Sequence, residues 1–295
     1  MTLEVRRGPR LADRTTLRLG GTALAEVVLT APEDAADLSD ALARIGGRPF
    51  ILGGGSNILA RDGELPLVLV RPRLTGEPEI LHQRFGGKVR LRVGAGVKLH
   101  RFTAWMATQG LDALAALFGI PGTVGGAVAG NAGAYGGEAC APLARVLVWT
   151  PERGAAWIDR DGFTYGYRTF ALAGDPAFFL ILAAEFDTDI DEPIDIRRGM
   201  IERVRHKRAS QPITAATAGC VFKNPAGTSA GTLLEAAGFR GKRLGGMAFS
   251  ALHANFLVNQ GGGTADEAFA LIAAAKEAVR RSSGHELELE VRVAP

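Results

Sequence analysis

GIPGTVGGAVAGNAGAYGG, running from Gly119 to Gly137, sets eight glycines among small residues and almost no charge. Glycine has no side chain to fill a core and costs about 1 kcal/mol per helix position relative to alanine, so the stretch builds neither well. Its value lies in exposed backbone N–H groups and in allowing close approach. That combination suits a large phosphate-bearing ligand.

The same logic applies upstream. Pro49-Phe50-Ile51-Leu52 reads as a short buried strand that runs straight into Gly53-Gly54-Gly55-Ser56-Asn57. Consecutive glycines after a strand can turn their N–H groups toward an anion, and Ser56 and Asn57 add short donors. The spacing is neither the dinucleotide fingerprint nor the phosphate loop ending in Lys-Ser/Thr. A tight turn is the competing reading, and the second glycine-rich run favours the pyrophosphate loop.

Composition bounds the rest. A chain of 295 residues, 47% hydrophobic and 22% charged, is long enough for two domains with a large core. Disordered and collagen-like classes are excluded. Glycine is the outlier, since 39 of 295 residues is about 13% against a usual level of about 7%. The net charge of +3 is spread along the chain with no basic run interleaved with aromatics, so nucleic acid is not an expected partner.

MTLEVRRGPRLADR at the start holds no apolar segment that could serve as a signal peptide. The longest strongly apolar run, Ala177 to Ala184, is far short of the roughly 20 residues that cross a bilayer. A cytoplasmic protein without membrane association is expected. Cys140 and Cys220 give no disulfide framework and no metal-ligand spacing, and the histidines are dispersed, so no metal site is expected.

Along the chain, Pro32 opens a helical pattern with Leu38, Leu42 and Ile45 on one face and Gly46 as its stop. Val89, Leu91 and Val93 alternate with Arg90 and Arg92 as a strand, and Leu99, Phe102 and Met106 mark a helix ending at Gly110. Ala144 to Phe186 is strand-like. The acidic segment Asp187 to Asp195 suits a linker, followed by a helix with Ile196, Met200 and Val204 inward and Arg197, Arg203 and Lys207 outward. Thr264 and Glu267 form a capping box for a helix carrying Ala268, Ile272, Ala275 and Val279. Glu286 to Val293 alternates as a strand with one charged face.

Three segments combine reactive side chains with loop-like surroundings: Tyr165-Gly166-Tyr167-Arg168, Ala218 to Pro225 (AGCVFKNP), and the Glu288/Glu290 face of the last strand. They supply a fixed cation, a polarisable acid and a carboxylate. Each has a plainer reading. Arg168 is equally a salt-bridge arginine, Cys220 a buried inert thiol, and the alternating glutamates a solvated face on which the pattern does not separate Glu288 from Glu290.

The motifs taken together close some of these alternatives. TLRLGG at Thr16 to Gly21, LGGGSN at Leu52 to Asn57, the Gly119 to Gly136 run, YGYR, AGCVFKNP, HANFLVN at His253 to Asn259 and LELEVR at Leu287 to Arg292 resemble, in order and over nearly the whole chain, the UDP-N-acetylenolpyruvoylglucosamine reductase family. The resemblance implies an α+β fold: an FAD-binding domain of the vanillyl-alcohol-oxidase type over residues 1–188 and a smaller substrate domain over 189–295. The short interval between YGYR and AGCVFKNP resembles the shorter, type II-like branch, which lacks an inserted substrate-capping segment.

The implied activity is that of a cytoplasmic, monomeric flavoprotein of peptidoglycan precursor synthesis. NADPH reduces FAD, and the enolpyruvyl ether of a UDP-sugar is then reduced to UDP-N-acetylmuramate. An enol ether conjugated to a carboxylate accepts hydride only if the developing enolate is stabilised and the adjacent carbon is protonated. By resemblance, Arg168 and Glu290 stabilise the enolate, and Cys220 donates the proton where most of the family has serine. A thiol with an ordinary pKa of about 8.5 is a far stronger acid than an alcohol, so the exchange keeps the donor role.

The resemblance also places Tyr167, Arg208, Lys223 and Asn224 against the substrate, Arg208 facing the diphosphate. Leu52, Gly53, Gly54, Gly55, Ser56 and Asn57 would hold the FAD pyrophosphate; Pro121, Gly122, Thr123, Gly125, Gly126, Asn131, Gly133, Ala134 and Tyr135 would line the flavin. A flavin oxidase or dehydrogenase with another substrate, and a nucleotide-binding regulator that has lost activity, share both glycine loops. The presence of Arg168, Cys220 and Glu290 argues against each.

Overall fold

A computed structural model describes residues 3–85 and 88–295; Met1, Thr2, Gly86 and Gly87 lie outside the described residues. Helices and largely antiparallel sheets mix along the chain in an α+β fold. Contacts group the chain into two compact units that interleave in sequence: Met1–Arg6, Glu26–Gly54 and Val68–Arg205 form one, and Arg7–Ala25, Gly55–Leu67 and His206–Pro295 the other.

The first unit is built on a five-stranded sheet ordered Gly154–Asp159, Leu143–Thr150, Leu180–Thr188, Lys88–Gly94, Glu79–Phe85. Leu180–Thr188 is central and almost continuously buried, as a strand covered on both faces must be. On Lys88–Gly94 the expected alternation holds, with Val89, Leu91 and Val93 buried. Its arginines meet acids directly across the ladder: Arg92 pairs with Glu185 at 2.7 Å and Arg90 with Asp187 at 2.7 Å. The helix Leu99–Thr108 buries Leu99, Phe102 and Met106 against this sheet, and Gly110 follows with φ 72°.

Three expectations for this part of the chain change. Asp187 and Thr188 still belong to the strand Leu180–Thr188, and the helix Pro193–Ser210 begins soon after, so the acidic stretch is a short connection. Ile196 and Met200 pack with Ala107 in the first unit, as their spacing indicates, but Lys207 is buried, since seven residues, about two turns, return it to the helix face of Met200. Arg48–Ile51 is a half-buried edge strand, not a buried one.

The second unit carries a four-stranded sheet ordered Ala216–Cys220, Phe256–Asn259, Met247–Phe249, Arg243–Leu244. The helix Ala265–Ser283 starts at the expected capping box, with Thr264 Oγ1 accepting from Glu267 N at 3.2 Å and Glu267 Oε2 accepting from Thr264 N at 3.1 Å. Ala268, Ile272, Ala275 and Val279 are buried with Phe222, Phe239 and Phe249. The last segment is regular strand only at Arg292–Ala294, which pairs parallel to Ile58–Ala60. Glu286 to Glu290 is instead tied down by single bonds to Val221 and Lys223, which a period-two pattern does not distinguish from a ladder.

Candidate active site

In the first unit the two glycine segments touch. A Cβ on Gly53 would lie 2.6 Å from Thr123 Oγ1, and one on Gly54 would lie 2.7 Å from Gly122 Cα. Real Cβ atoms do not approach so closely, so the absence of side chains lets the two loops meet. Leu52 is buried, with its N–H bound to Val70 O at 2.9 Å, which ends the strand just before the loop. Thr123 caps the helix Val124–Ala129, its Oγ1 accepting from Gly126 N at 3.3 Å.

Not every glycine of the run serves the same end. The Gly125 N–H is committed to Ala95 O at 2.9 Å, and a Cβ there would crowd the Ala95 methyl at 2.7 Å, so Gly125 is a packing glycine. Leu99 N binds Gly122 O at 3.1 Å beside Pro121. A Cβ on Gly126 meets only Thr123 Oγ1, at 3.4 Å, so nothing in the protein requires a glycine there. Among the described residues, the N–H groups of Gly53 and Gly54 donate to no protein acceptor. Uncommitted donors on an open glycine surface fit a diphosphate cofactor.

Beyond the helix, Gly133–Ala134 and Gly137–Glu138 form a hairpin whose turn residues Tyr135 (φ 51°) and Gly136 (φ 80°) both lie in the left-handed region, the signature of a type I′ turn. Tyr135 is exposed, and its hydroxyl donates to Arg203 O at 3.1 Å. Phe163–Gly166 and Thr169–Leu172 make a second hairpin, so Tyr167 and Arg168 are its two turn residues. Arg168 has φ 57°, a conformation costing a non-glycine residue about 1 kcal/mol or more. Its Nη2 donates to Gly133 O at 3.2 Å, and its guanidinium lies over the Tyr167 ring at 5.1 Å. Asn131 is wholly buried and spent on protein partners.

In the second unit, Gly219 (φ 80°) sits in a register shift between Thr217 and Cys220 against the neighbouring strand. An extra residue at a bulge re-aims the side chain that follows, here Cys220, which is half-buried. Asn255 of the HANFLVN motif clamps the next residues: its Oδ1 accepts from Phe222 N at 3.0 Å, its Nδ2 donates to Phe222 O at 2.8 Å, and its carbonyl accepts from Val221 N at 2.9 Å. Sequence reasoning had no role for Asn255. A buried asparagine inside an apolar strand pattern was the signal available.

Glu288 and Glu290, equivalent in the sequence, differ in the structure. The Glu288 side chain is 75% exposed and pairs with Lys223 Nζ at 3.2 Å. Glu290 is half-buried; its N–H donates to Val221 O at 2.8 Å and its carbonyl accepts from Asn57 Nδ2 at 3.1 Å. Thr16 extends the connection: its N–H donates to Gly55 O at 3.0 Å and its Oγ1 to Thr217 O at 2.6 Å. Gly55 is locked against Arg14 and Thr15 with φ 66°. The second half of the LGGGSN loop is thus hydrogen-bonded to the backbone of Glu290 and, through Thr16 and Glu290, to Thr217 and Val221 on either side of Cys220.

The remaining expected contacts are less built. Asn224 Oδ1 accepts from Ala230 N at 3.0 Å and so fixes the loop before the helix Ala230–Ala236. Arg208 is exposed in the last turn of Pro193–Ser210, and Ser56 is half-buried. The other cysteine, Cys140, is buried, and burial pushes its thiol up to about 12, which leaves it unreactive at neutral pH.

The fold and the open glycine loops define an FAD-binding oxidoreductase, and the model for an FAD binding domain matches residues 26–154. The model for the C-terminal domain of UDP-N-acetylenolpyruvoylglucosamine reductase matches residues 211–294. The chain is 48% identical to the UDP-N-acetylenolpyruvoylglucosamine reductase of Nitratidesulfovibrio vulgaris over 99% of its own length and 98% of that protein's. It is 40% identical to that of Geobacter sulfurreducens, covering 98% and 94%. The crystal structure of the enzyme of this name from Thermus caldophilus superposes with a TM-score of 0.81 at 32% identity over 100% of both chains. The chain belongs to the UDP-N-acetylenolpyruvoylglucosamine reductase family.

Proposed function

We propose that this protein reduces the enolpyruvyl ether of UDP-N-acetylenolpyruvoylglucosamine to UDP-N-acetylmuramate at the expense of NADPH, in the cytoplasmic synthesis of peptidoglycan precursors that underlies cell wall biogenesis, cell shape and division. Bound FAD supplies the hydride, received from NADPH. The reading assigns residues 1–188 to FAD and 189–295 to the substrate, in a monomer.

Arg168 holds the substrate carboxylate, because a guanidinium stays charged and can bind both oxygens as negative charge moves onto them. Glu290 stabilises the enolate as well. Cys220 Sγ gives its proton to the carbon next to the carboxylate, so that the enolate collapses to the saturated lactyl ether. Tyr167, Lys223 and Asn224 contact the substrate, and Arg208 neutralises its diphosphate.

The observation that carries the reading is the hydrogen-bonded assembly of Asn57, Glu290 and Val221, which ties the end of the glycine loop to the backbone of Glu290 and to the residue after Cys220. The test is anaerobic. NADPH should bleach the flavin of the purified protein, and UDP-N-acetylenolpyruvoylglucosamine should return its colour with stoichiometric product. Bleaching without return of colour would keep the flavoprotein and discard the substrate.

A further inference from the structure

The geometry points to Asn131 as the residue that positions Arg168, acting through the Gly166 carbonyl and not through contact with the flavin; the inference rests on the role proposed for Arg168. The Asn131 side chain is completely buried, and both of its N–H bonds are spent inside the protein. Nδ2 donates to Glu138 Oε2 at 3.0 Å and to Gly166 O at 2.9 Å, while Oδ1 accepts from Cys140 N at 3.0 Å. With no donor left, this side chain cannot serve as a hydrogen-bond donor to a cofactor.

Gly166 is the last paired residue before the Tyr167–Arg168 turn, bonded in register with Thr169. Fixing its carbonyl fixes the base of that turn. Arg168 returns the connection, its Nη2 donating to Gly133 O at 3.2 Å, two residues beyond Asn131. The guanidinium lies so close to the loop that a Cβ on Gly133 would be 3.0 Å from Arg168 Nη1. The hairpins 133–138 and 163–172 are therefore latched twice, once in each direction.

The latch has a physical task. Arg168 holds a left-handed backbone (φ 57°) that persists only where surrounding structure over-determines it. Without the Asn131 donation the turn has one fewer constraint, and the guanidinium at its tip moves with it. Asn131 itself is left-handed at φ 38°, which asparagine and aspartate tolerate better than other side chains.

Asn131→Asp is the test, because it keeps the shape, the backbone tolerance and the Oδ1 acceptor for Cys140 and removes both donations. Combining it with Glu138→Gln prevents two carboxylates from facing each other and serves as the second variant should the single one fail to fold. By hydrogen exchange, the amides of 163–172 should exchange about tenfold faster while FAD stays bound stoichiometrically. Reoxidation of the NADPH-reduced variant by UDP-N-acetylenolpyruvoylglucosamine should slow about 10- to 100-fold. In an Arg168→Gly background, where glycine takes the positive φ without strain, adding Asn131→Asp should slow it no further.

Unchanged exchange across 163–172 would overturn the inference. So would loss of FAD with the hairpin unmoved, or additive effects of the two substitutions. Should the wild-type reduced flavin not be reoxidised by this substrate, the functional proposal falls, and the exchange result still decides whether Asn131 holds the hairpin.

Discussion

Asn57 Nδ2 donates to the Glu290 carbonyl oxygen at 3.1 Å, and the Asn57 carbonyl in turn accepts from Arg292 N at 3.0 Å. The end of the glycine loop therefore sets the backbone on which Glu290 stands, while Glu288 faces outward toward Lys223. Glu290→Gln should slow substrate-driven reoxidation about 100-fold, in the range of a lost general acid–base group. Glu288→Gln should change it less than about twofold, because an exposed ion pair contributes little. Stopped-flow traces of the two variants separate the glutamates, and equal losses would return the question to where the sequence left it.

Asn57→Ala removes one neutral hydrogen bond and should cost about 1 kcal/mol of stability. A melting point lower by a few degrees together with slower reoxidation is the expected result. A drop in melting point with full turnover would show that the loop holds the strand but not the carboxylate.

The two cysteines should behave oppositely. Cys140 is buried with its thiol pushed up to about 12, mainly by burial and further by Glu138, whereas Cys220 is half-buried on a bulge. Iodoacetamide at pH 8 should therefore alkylate one thiol per folded chain, at Cys220, and abolish turnover while NADPH still bleaches the flavin. Cys220→Ser should keep substantial activity and Cys220→Ala should not. Wild-type turnover by Cys220→Ala would remove the proton-donor role.

Much of this arrangement is legible in the sequence because it depends on local rules. The alternation at Val89, Leu91 and Val93, the capping box at Thr264 and Glu267 and the glycine runs each follow from period, cap chemistry or a missing Cβ. What escapes is set by partners far along the chain. Arg292–Ala294 pairs with Ile58–Ala60, so the segments of the two compact units interleave. Lys207 is buried although its neighbours are basic and exposed. Asn131 lies within a glycine-rich run suited to a cofactor, yet its partners are Glu138, Cys140 and Gly166, which no local pattern announces.

His253 offers a pH test of the second unit. Burial holds its pKa below the ordinary 6.5, assisted by Arg240, and its Nδ1 accepts from Asn255 N at 3.2 Å, so the neutral ring is the native form. The sign follows from linkage: the unfolded chain binds the proton more readily, so there is no penalty above pH 6.5 and stability falls as pH drops below it. The melting temperature should decline from pH 7 to pH 5, and His253→Asn, whose Oδ1 can accept in place of Nδ1, should flatten that part of the decline. A decline of the same steepness in the variant would place the titrating group elsewhere.

Gly54 and Gly126 test whether the glycine run is shaped by the protein or by its ligand. A Cβ at Gly54 would collide with the Gly122 backbone at 2.7 Å, so Gly54→Ala should push the two loops apart and destabilise the fold itself. Gly126 lies inside the helix Val124–Ala129 with only Thr123 Oγ1 near, at 3.4 Å, and its φ is not positive. There alanine should raise helix stability by about 0.5–1 kcal/mol in the cofactor-free protein. If the open face of Gly126 exists to admit FAD, Gly126→Ala should melt at or above the wild-type temperature as apoprotein yet retain FAD at least about tenfold more weakly, a loss of about 1.4 kcal/mol. Titration of both apoproteins with FAD, followed by flavin fluorescence quenching, measures this directly. Undiminished FAD affinity in Gly126→Ala would mean that the cofactor approaches the run at other glycines.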